Sequence, residues 1–386
     1  MISQELREIL IAKIKSSPKQ QITFAEYMAL ALYHQQYGYY NSGTVTIGAQ
    51  GDFFTSSSLG KDFGELLAIQ FKQMWTNLGC PDPFYLVEMG AGNGELAQDI
   101  LLYLQESEAD LTKTLKYIIV EESTALTRVQ QKRLAENKFT QLSWQNWSDI
   151  SSESITGCFF ANELVDAFPV HRITKSQNRL QEVYLSLEQD RLSETIDSLS
   201  TARLAEYLDL VNIDLLEPQY PQDYYTEINL QALDWLKTIA AKLKRGYILT
   251  VDYGYTADKY YRPARSQGTL QCYYQHRRHN NPYANLGHQD ITAHVDFTAL
   301  QRQGELCNLK TLGFTQQGLF LMALGLGDRL NDLSSGKYEI TEIFKRRDAL
   351  HQLIDPTGLG GFGVLIQGKN LKDERSLQGL TMPPML

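Results

Sequence analysis

The sequence predicts an α/β protein: a doubly wound, largely parallel sheet with a helical N-terminal cap and insertions after its fourth and fifth strands. Three observations point there. From about residue 81, short apolar runs alternate with helical segments, the pattern of strands buried on both faces. A glycine turn, GAGNG at 90–94, separates the first such run from a helix start, as in folds that bind ligands at the carboxyl ends of their strands. Two long segments interrupt the alternation, which resumes after each.

The first 80 residues read as mostly helical: LREILIAKIKSS, FAEYMALALYHQQYGYY and FGELLAIQFKQMWTNLG. An irregular loop rich in glycine and serine, GTVTIGAQGDFFTSSSLG, separates the last two. YLVEMG (85–90) is the first strand and ELAQDILLYLQES its helix. YIIVEE (117–122) is the second strand, followed by helical TALTRVQQKRLAEN; QLSW (141–144) and CFFANEL (158–164) are the third and fourth. The first insertion, about 170–225, opens with VHRITKS, RLQEVYLSLEQ and RLSETI, which resemble antiparallel ribbon, and ends in a polar, proline-punctuated connection. Helix INLQALDWLKTIAAKLK and strand GYILTVDYG (246–254) resume the alternation. The second insertion, about 255–295, is too long for an ordinary loop, and its tyrosines and histidines favour an ordered segment. Helical DFTALQRQGELCNL, FLMALGLGDRLNDL and ITEIFKRRDALHQLI precede a final strand, FGVLIQGK (362–369). The expected division is a cap at 1–80, a core at 81–370 and a tail at 371–386.

At 386 residues the chain can bury a substantial core. A composition 43% hydrophobic and 21% charged is that of an ordinary folded soluble protein. The net charge of −9 argues against nonspecific nucleic-acid binding. No apolar run approaches the roughly 18 residues of a membrane span. The N-terminus mixes acids and bases and lacks both the apolar core of a signal peptide and the acid-poor character of a transit peptide, so a cytoplasmic, bacterial-type chain is expected. Cys80, Cys158, Cys272 and Cys307 lie far apart, without metal-ligand spacing.

Gly90, Gly92 and Gly94 let the backbone turn sharply and approach a ligand without side-chain obstruction. A dinucleotide site would place its third glycine two residues later, in GxGxxG. Here GxGxG follows Glu88 inside the strand, and Glu121 ends the second strand, where an acid accepts hydrogen bonds from two ribose hydroxyls. The combination fits S-adenosylmethionine better than NAD, because that cofactor has no pyrophosphate to cradle. The competing reading is a packing turn with solvated acids. A second cluster, Asn162, Glu163 and Asp166, sits at the tip of strand four, beside the crevice where open α/β sheets bind ligands. It is either a polar clamp for a nucleophile facing the methyl group or a helix cap with a solvated turn. Asp252, at the tip of strand five, either adds a third carboxylate or braces the sheet.

Seven stretches in order, FAEYMALALYHQQYGYY, GDFFTSSSLGKDFGELLA, LVEMGAGNGELAQDIL, VEESTALTRVQQKRL, ANELVDAFPVHR, VDYGY and GHQDITAHVDFTAL, resemble the MidA-like S-adenosylmethionine-dependent methyltransferases over about 22–370. That family includes a mitochondrial complex I assembly factor acting as a protein arginine methyltransferase. The resemblance implies a class I (Rossmann-like) methyltransferase fold. It places the methionine part of the cofactor at Gly90, Gly92 and Gly94, the ribose at Glu121, and methyl transfer at Asn162, Glu163 and Asp166. Two departures stand out. The family reads close to GDFxTAPEIS where this chain has Ser57 and Ser58 for the proline and glutamate, and Leu286 precedes Gly287 where a PG pair is usual.

The function expected is methyl transfer to an arginine of a protein acceptor, of which a respiratory complex I-type subunit is the class the resemblance implies. Glu163 and Asp166 would hold the guanidinium and relay its proton. Among His276, His279, His288 and His294, the last is the best candidate base, because its motif DITAHVDF is the most family-like; their spacing matches no common zinc site. Three alternatives stay open: an assembly factor acting through protein contacts, a small-molecule methyltransferase, and, disfavoured by GxGxG, a nicotinamide-dependent oxidoreductase. The oligomeric state is open, a homodimer included.

Overall fold

The computed structural model describes residues 3–42, 55–275, 277–372 and 375–382. Its chain divides into two compact units. One comprises Ile47–Leu164, Thr238–Tyr253 and Gly304–Leu386; the other comprises Met1–Thr46, Val165–Lys237 and Gly254–Gln303.

Among the described residues of the first of these units, seven strands form one sheet. In chain order they are β1 (Phe84–Met89), β2 (Leu115–Val120), β3 (Leu142–Trp144), β4 (Ile155–Asn162), β5 (Leu243–Asp252), β6 (Lys310–Gln316) and β7 (Gly363–Lys369). Their spatial order is β6-β7-β5-β4-β1-β2-β3. The strands β3, β2, β1, β4 and β5 pair in parallel, while β7 runs antiparallel to both β5 and β6. The chain therefore winds outward from β1 to β3 and returns to β4 beside β1. The reversal between β1 and β4 is a topological switch point, where open sheets leave a crevice at their carboxyl ends.

The local sequence explains these elements. Leu86 and Val87 of β1 and Phe159 and Phe160 of β4 are buried on both faces of the sheet. The helix Glu95–Ser107 buries Leu96, Ala97, Ile100, Leu101 and Leu104, one stripe at helical spacing. The helix Thr124–Ala135 starts where Ser123 Oγ accepts from Leu126 N–H at 3.2 Å. Leu86, Ile100, Tyr117, Phe160, Leu249 and Ile366 meet in one core.

The other unit holds an antiparallel sheet in which Ile22–Thr23, Arg179–Glu188, His171–Ser176 and Tyr224–Ile228 are neighbours in that order, with Arg191–Asp197 also on Arg179–Glu188. The ribbon expected after strand four is thus present. Within the stretch read as a polar connection lie the helix Arg203–Leu210 and the strand Tyr224–Ile228. The second insertion contains the three-stranded sheet Arg277–His279, Gln271–Tyr274 and Asp290–Thr292. His276 and residues 51–54 of GDFFTSSSLG lie outside the described residues.

Two elements differ from the sequence reading. β6 went unrecognised because KTLGFTQ has weak alternation and an internal glycine; the ladder with β7 makes the strand, with an irregularity between Thr311 and Gly313. FLMALGLGDRLNDL, read as one helix, is two, Gln317–Ala323 and Leu326–Asp332, broken where Gly325 takes φ +104°.

One ion cluster fixes a helix start within the sheet unit. Asp62 and Glu65, in the first turn of Asp62–Asn77, are buried near the positive end of the helix dipole. Arg346 grips Asp62 through Nε at 2.8 Å and Nη2 at 2.6 Å, and Arg329 pairs with Glu65. Replacing Arg346 by alanine leaves the buried Asp62 carboxylate a longer contact with Arg329 at 3.7 Å and should cost about 1–3 kcal/mol of stability. Lysine should recover less than half of that, because it lacks the two-pronged geometry. Urea unfolding of the three proteins checks this; equal midpoints would show that solvent already screens the pair.

Candidate active site

Gly90, Gly92 and Gly94 take φ +69°, +55° and +82°, in the left-handed region. Gly90 is also confined by packing: a Cβ there would lie 2.7 Å from Leu164 Cδ1. Gly90 N–H donates to Val120 O at 3.1 Å, which ties the turn to the end of β2. Gly94 caps the helix Glu95–Ser107, and Asn93 Oδ1 accepts from Glu95 N–H at 3.1 Å.

Glu121 follows the last residue of β2. Its Oε1 accepts from Ser123 N–H at 2.9 Å and its Oε2 from Gln130 Nε2 at 3.1 Å. Burial raises its pKa, and these donors oppose the rise. Gln130 is fully buried; its Nε2 also donates to Gly92 O at 2.9 Å, and its Oε1 accepts from Trp144 Nε1 at 3.0 Å. The fold so brings Gly92, Glu121, Gln130 and Trp144 together. Glu88 is placed differently. It is 3% exposed inside β1, and Tyr117 OH donates to its Oε2 at 2.7 Å. Burial pushes the Glu88 carboxyl up to about 7, against the Tyr117 hydrogen bond.

A cavity of about 410 Å³ opens at the carboxyl ends of β2 and β3, lined among others by Glu121, Thr124, Arg128, Trp144 and Asn146. A carboxylate beside an indole and an amide, with a side-chain-free turn joined to the carboxylate through Gln130, fits an adenosine whose ribose diol donates hydrogen bonds.

The tip of β4 carries the second cluster. Asn162, its last residue, pairs with Val251 of β5. Glu163 takes φ +51°, a left-handed conformation costing a non-glycine residue about 1–2 kcal/mol, and its N–H donates to Val251 O at 2.8 Å. Its Oε1 accepts from Ser56 N–H at 2.9 Å and from Asn162 Nδ2 at 3.2 Å. Burial pushes this carboxyl up to about 7, and the two donors oppose the rise. Asn162 Oδ1 is buried with no hydrogen-bond partner among the described residues. Asp252, at the tip of β5, is fully buried and accepts from Tyr253 N–H at 2.9 Å.

Ser56 brings the departing loop to this cluster. It is buried, and its Oγ donates to Gln317 Oε1 at 3.1 Å. Ser58 Oγ accepts from Thr55 N–H at 3.2 Å, so it stands where the glutamate of a Thr-x-x-Glu capping box would stand. Ser57 Oγ lies 3.1 Å from Thr55 Oγ1.

Asp166 and His294 belong to the other unit. Asp166 is buried in the turn Val165–Ala167, and its carbonyl accepts from Ala293 N–H at 2.9 Å. The His294 ring stacks on Tyr255 at 5.1 Å and 9°, and the Arg265 guanidinium lies 4.2 Å from the Tyr255 centroid. Burial, and then the Arg265 charge, push the imidazole down to about 4, so it is neutral near pH 7. Asp290, in the same DITAHVDF motif, accepts from Tyr40 OH at 2.9 Å. His279 ends a short strand, and His288 donates its backbone N–H to Asn285 O. Among the described residues no three His, Cys, Asp or Glu side chains are grouped to hold a metal ion.

Sequence reasoning passed over Gln130, Ser56 and Gln317. Gln130 had a signal: it occupies the buried i+4 position between Leu126 and Leu134, where an amide is out of place unless bonded. Ser56 and Gln317 had none, because only the tertiary structure brings them to each other.

Residues 66–315 match a family described as S-adenosyl-L-methionine-dependent methyltransferases. The chain is similar to the mitochondrial protein arginine methyltransferase NDUFAF7 homolog of Drosophila melanogaster, 29% identical over 92% of this chain and 82% of that protein. It is similar to human NDUFAF7, also named a mitochondrial protein arginine methyltransferase, at 27% identity over 95% and 84%. A crystal structure of a Burkholderia thailandensis protein bound to S-adenosyl-homocysteine superimposes with a TM-score of 0.84 at 29% identity, covering 97% of this chain and 94% of that one. These relatives correct the expectation of a cytoplasmic chain, since the curated proteins carry mitochondrial names. The physical reason is that the helix Gln4–Ser16 buries Leu6, Leu10 and Ile14, so its mix of residues answers to packing and does not report a compartment. Among the described residues no helix is long and apolar enough to cross a membrane. With its doubly wound sheet, its glycine turn and a family match across most of the sheet unit and all of both insertions, the chain belongs to the MidA-like S-adenosylmethionine-dependent methyltransferases.

Proposed function

We propose that this methyltransferase modifies an arginine of a protein acceptor, with Glu163 orienting the guanidinium and taking its proton. The observation that carries the reading is the state of Glu163. It is a largely buried carboxyl at the sheet's switch point, in strained backbone, with Oε1 fixed by Ser56 and Asn162. Such strain persists where the surroundings over-determine it, and it clusters at functional sites. The names of the similar proteins support arginine as the acceptor.

S-adenosylmethionine supplies an electrophilic methyl carbon on a sulfonium. A guanidinium stays protonated in water, so its nitrogen needs orientation and a proton acceptor as the new bond forms. The Glu163 carboxylate provides both through charge-assisted hydrogen bonds, and the buried Asn162 Oδ1 offers a further acceptor for an N–H. Asp166 and neutral His294 are the further candidates for these roles on the other unit. The Gly90–Gly94 turn and Glu121 hold the cofactor's methionine part and ribose, and Glu88 supports the turn from within β1.

Incubation with labelled S-adenosylmethionine and a lysate lacking the endogenous enzyme should label a protein band at arginine; respiratory complex I-type subunits are the first acceptors to try. Label confined to small molecules would overturn the proposal, and no transfer at all would favour an assembly factor acting through contacts.

Three outcomes are expected of variants. Glu163→Gln and Asp166→Asn should each lower the methylation rate by on the order of a hundred-fold, with cofactor affinity within a few-fold of the parent. A lowered melting temperature with an intact rate per folded molecule would reduce them to structural caps.

The pH profile is the second test. Only ionised Glu163 accepts a proton, so kcat/KM should rise with pH up to about 7 and then level, and Glu163→Gln should lack that inflection. Its folded pKa is raised, so stability is greatest when the carboxyl is neutral and falls as pH rises through about 7. Above that pH, Glu163→Gln should melt no lower than the parent.

Third, Glu121→Ala should weaken S-adenosylhomocysteine binding by roughly ten- to a hundred-fold and, by leaving Gln130 and Ser123 donors unmet, lower the melting temperature modestly. A bulky residue at Gly92 should abolish that binding, and NAD should not bind. Calorimetry decides each.

A further inference from the structure

Gln130 is buried in the middle of a helix, and no part of the mechanism above uses it. Each of its amide hydrogens and its oxygen has a partner: Gly92 O at 2.9 Å, Glu121 Oε2 at 3.1 Å and Trp144 Nε1 at 3.0 Å. An indole N–H only donates, so Oε1 must face Trp144, and the amide has one possible orientation. The three partners come from three different loops, those after β1 and β2 and the end of β3. The backbone fits this arrangement, since a Cβ at Gly94 would lie 3.4 Å from Gln130 Cα.

We propose that Gln130 is a positioning residue for the cofactor, holding the Gly92 carbonyl, the Glu121 carboxylate and the Trp144 indole in the register that the nucleoside and methionine parts require together. The proposal rests on the cofactor reading of Gly92 and Glu121. Gly92 lies in the turn after β1 and Glu121 just after β2, and Gln130 Nε2 donates to both. Without the amide between them, the turn and the acid would keep the backbone bond from Gly90 to Val120 but lose their side-chain link, and the cavity's Trp144 would lose its anchor. The amide also donates to Glu121 Oε2, and that bond favours the ionised acid needed to accept from a diol.

Each role has a variant. Gln130→Leu keeps the volume and removes all three bonds. S-adenosylhomocysteine affinity should fall about ten- to a hundred-fold, while kcat at saturating cofactor stays within a few-fold. The loss should deepen as pH falls, because Glu121 protonates more readily without its donor. Gln130→Glu keeps the acceptor for Trp144 and sets a second carboxyl against Glu121; its affinity should recover as pH falls, when a shared proton restores a donor between the two acids. The two pH dependences therefore have opposite signs, which loss of folding stability cannot produce. Leu104→Ala, buried at the far end of the helix Glu95–Ser107, serves as the stability control, lowering the melting temperature with affinity per folded molecule unchanged.

Unchanged affinity in Gln130→Leu, or the same affinity loss in Leu104→Ala, overturns the proposal. Failure of the underlying reading looks different: Glu121→Ala would bind normally while Gln130→Leu binds weakly, leaving Gln130 acting through Gly92 alone. Calorimetry from pH 6 to 8, with Trp144 fluorescence as an independent report on the anchor, provides the readings.

Discussion

The parallel pairing of β1 with β4 is the constraint on which the rest of the sheet unit depends. Its register sets Glu88 against Phe160 and Met89 against Ala161. The two strands therefore end at nearly the same level, and their exits are forced into contact. Gly90 turns against the side chain of Leu164, at a distance that admits no Cβ. One residue earlier, Glu163 turns its carboxyl back, with its N–H still bonded to β5. A shift of one residue in this ladder would turn the side chains of one strand to the opposite face of the sheet and separate the glycine turn from the β4 tip.

Burial near these exits carries an energetic cost. Glu88 and Glu163 both sit where ionisation is disfavoured, yet their surroundings differ. Glu88 has its hydrogen bond from Tyr117 within the sheet, an internal pairing that braces β1 against β2. Glu163 has a strained backbone and donors on one oxygen only, leaving acceptor capacity for a substrate. Two carboxyls with similar pKa shifts thus have different surroundings, and the distinction comes from what is already bonded to each. On the other unit, His294 is held neutral by burial and a nearby guanidinium, both of which weaken it as a base.

Polar side chains buried in apolar registers do much of the organising. Gln130 occupies a core position of its helix and joins three loops; Gln317 and Ser56 join a helix start to the segment that bonds Glu163. A buried amide is costly unless satisfied, and once satisfied it specifies a single arrangement of its partners. The substitution of Ser57 and Ser58 into the family loop fits this logic, because Ser58 retains a capping hydrogen bond that a glutamate would supply.

The sequence by itself determined the elements whose signals are local. β1, β2, β4, β5 and β7 are continuous apolar runs, the helices between them carry apolar stripes, and a glycine turn needs glycine wherever it occurs. Hence the doubly wound sheet and the positions of Gly90–Gly94, Glu121 and Asn162–Glu163 at strand ends were readable without coordinates. Only the tertiary structure decided what depends on partners distant along the chain. β6 is a strand because β7 offers it a ladder. Glu88 and Glu163, alike as letters, are set apart by Tyr117 and by Ser56. Gln130 gains its meaning from a carbonyl 38 residues away and a carboxylate nine residues away. Local periodicity records which residues are buried; it does not record what a buried polar atom is bonded to, and that pairing gives the site its geometry.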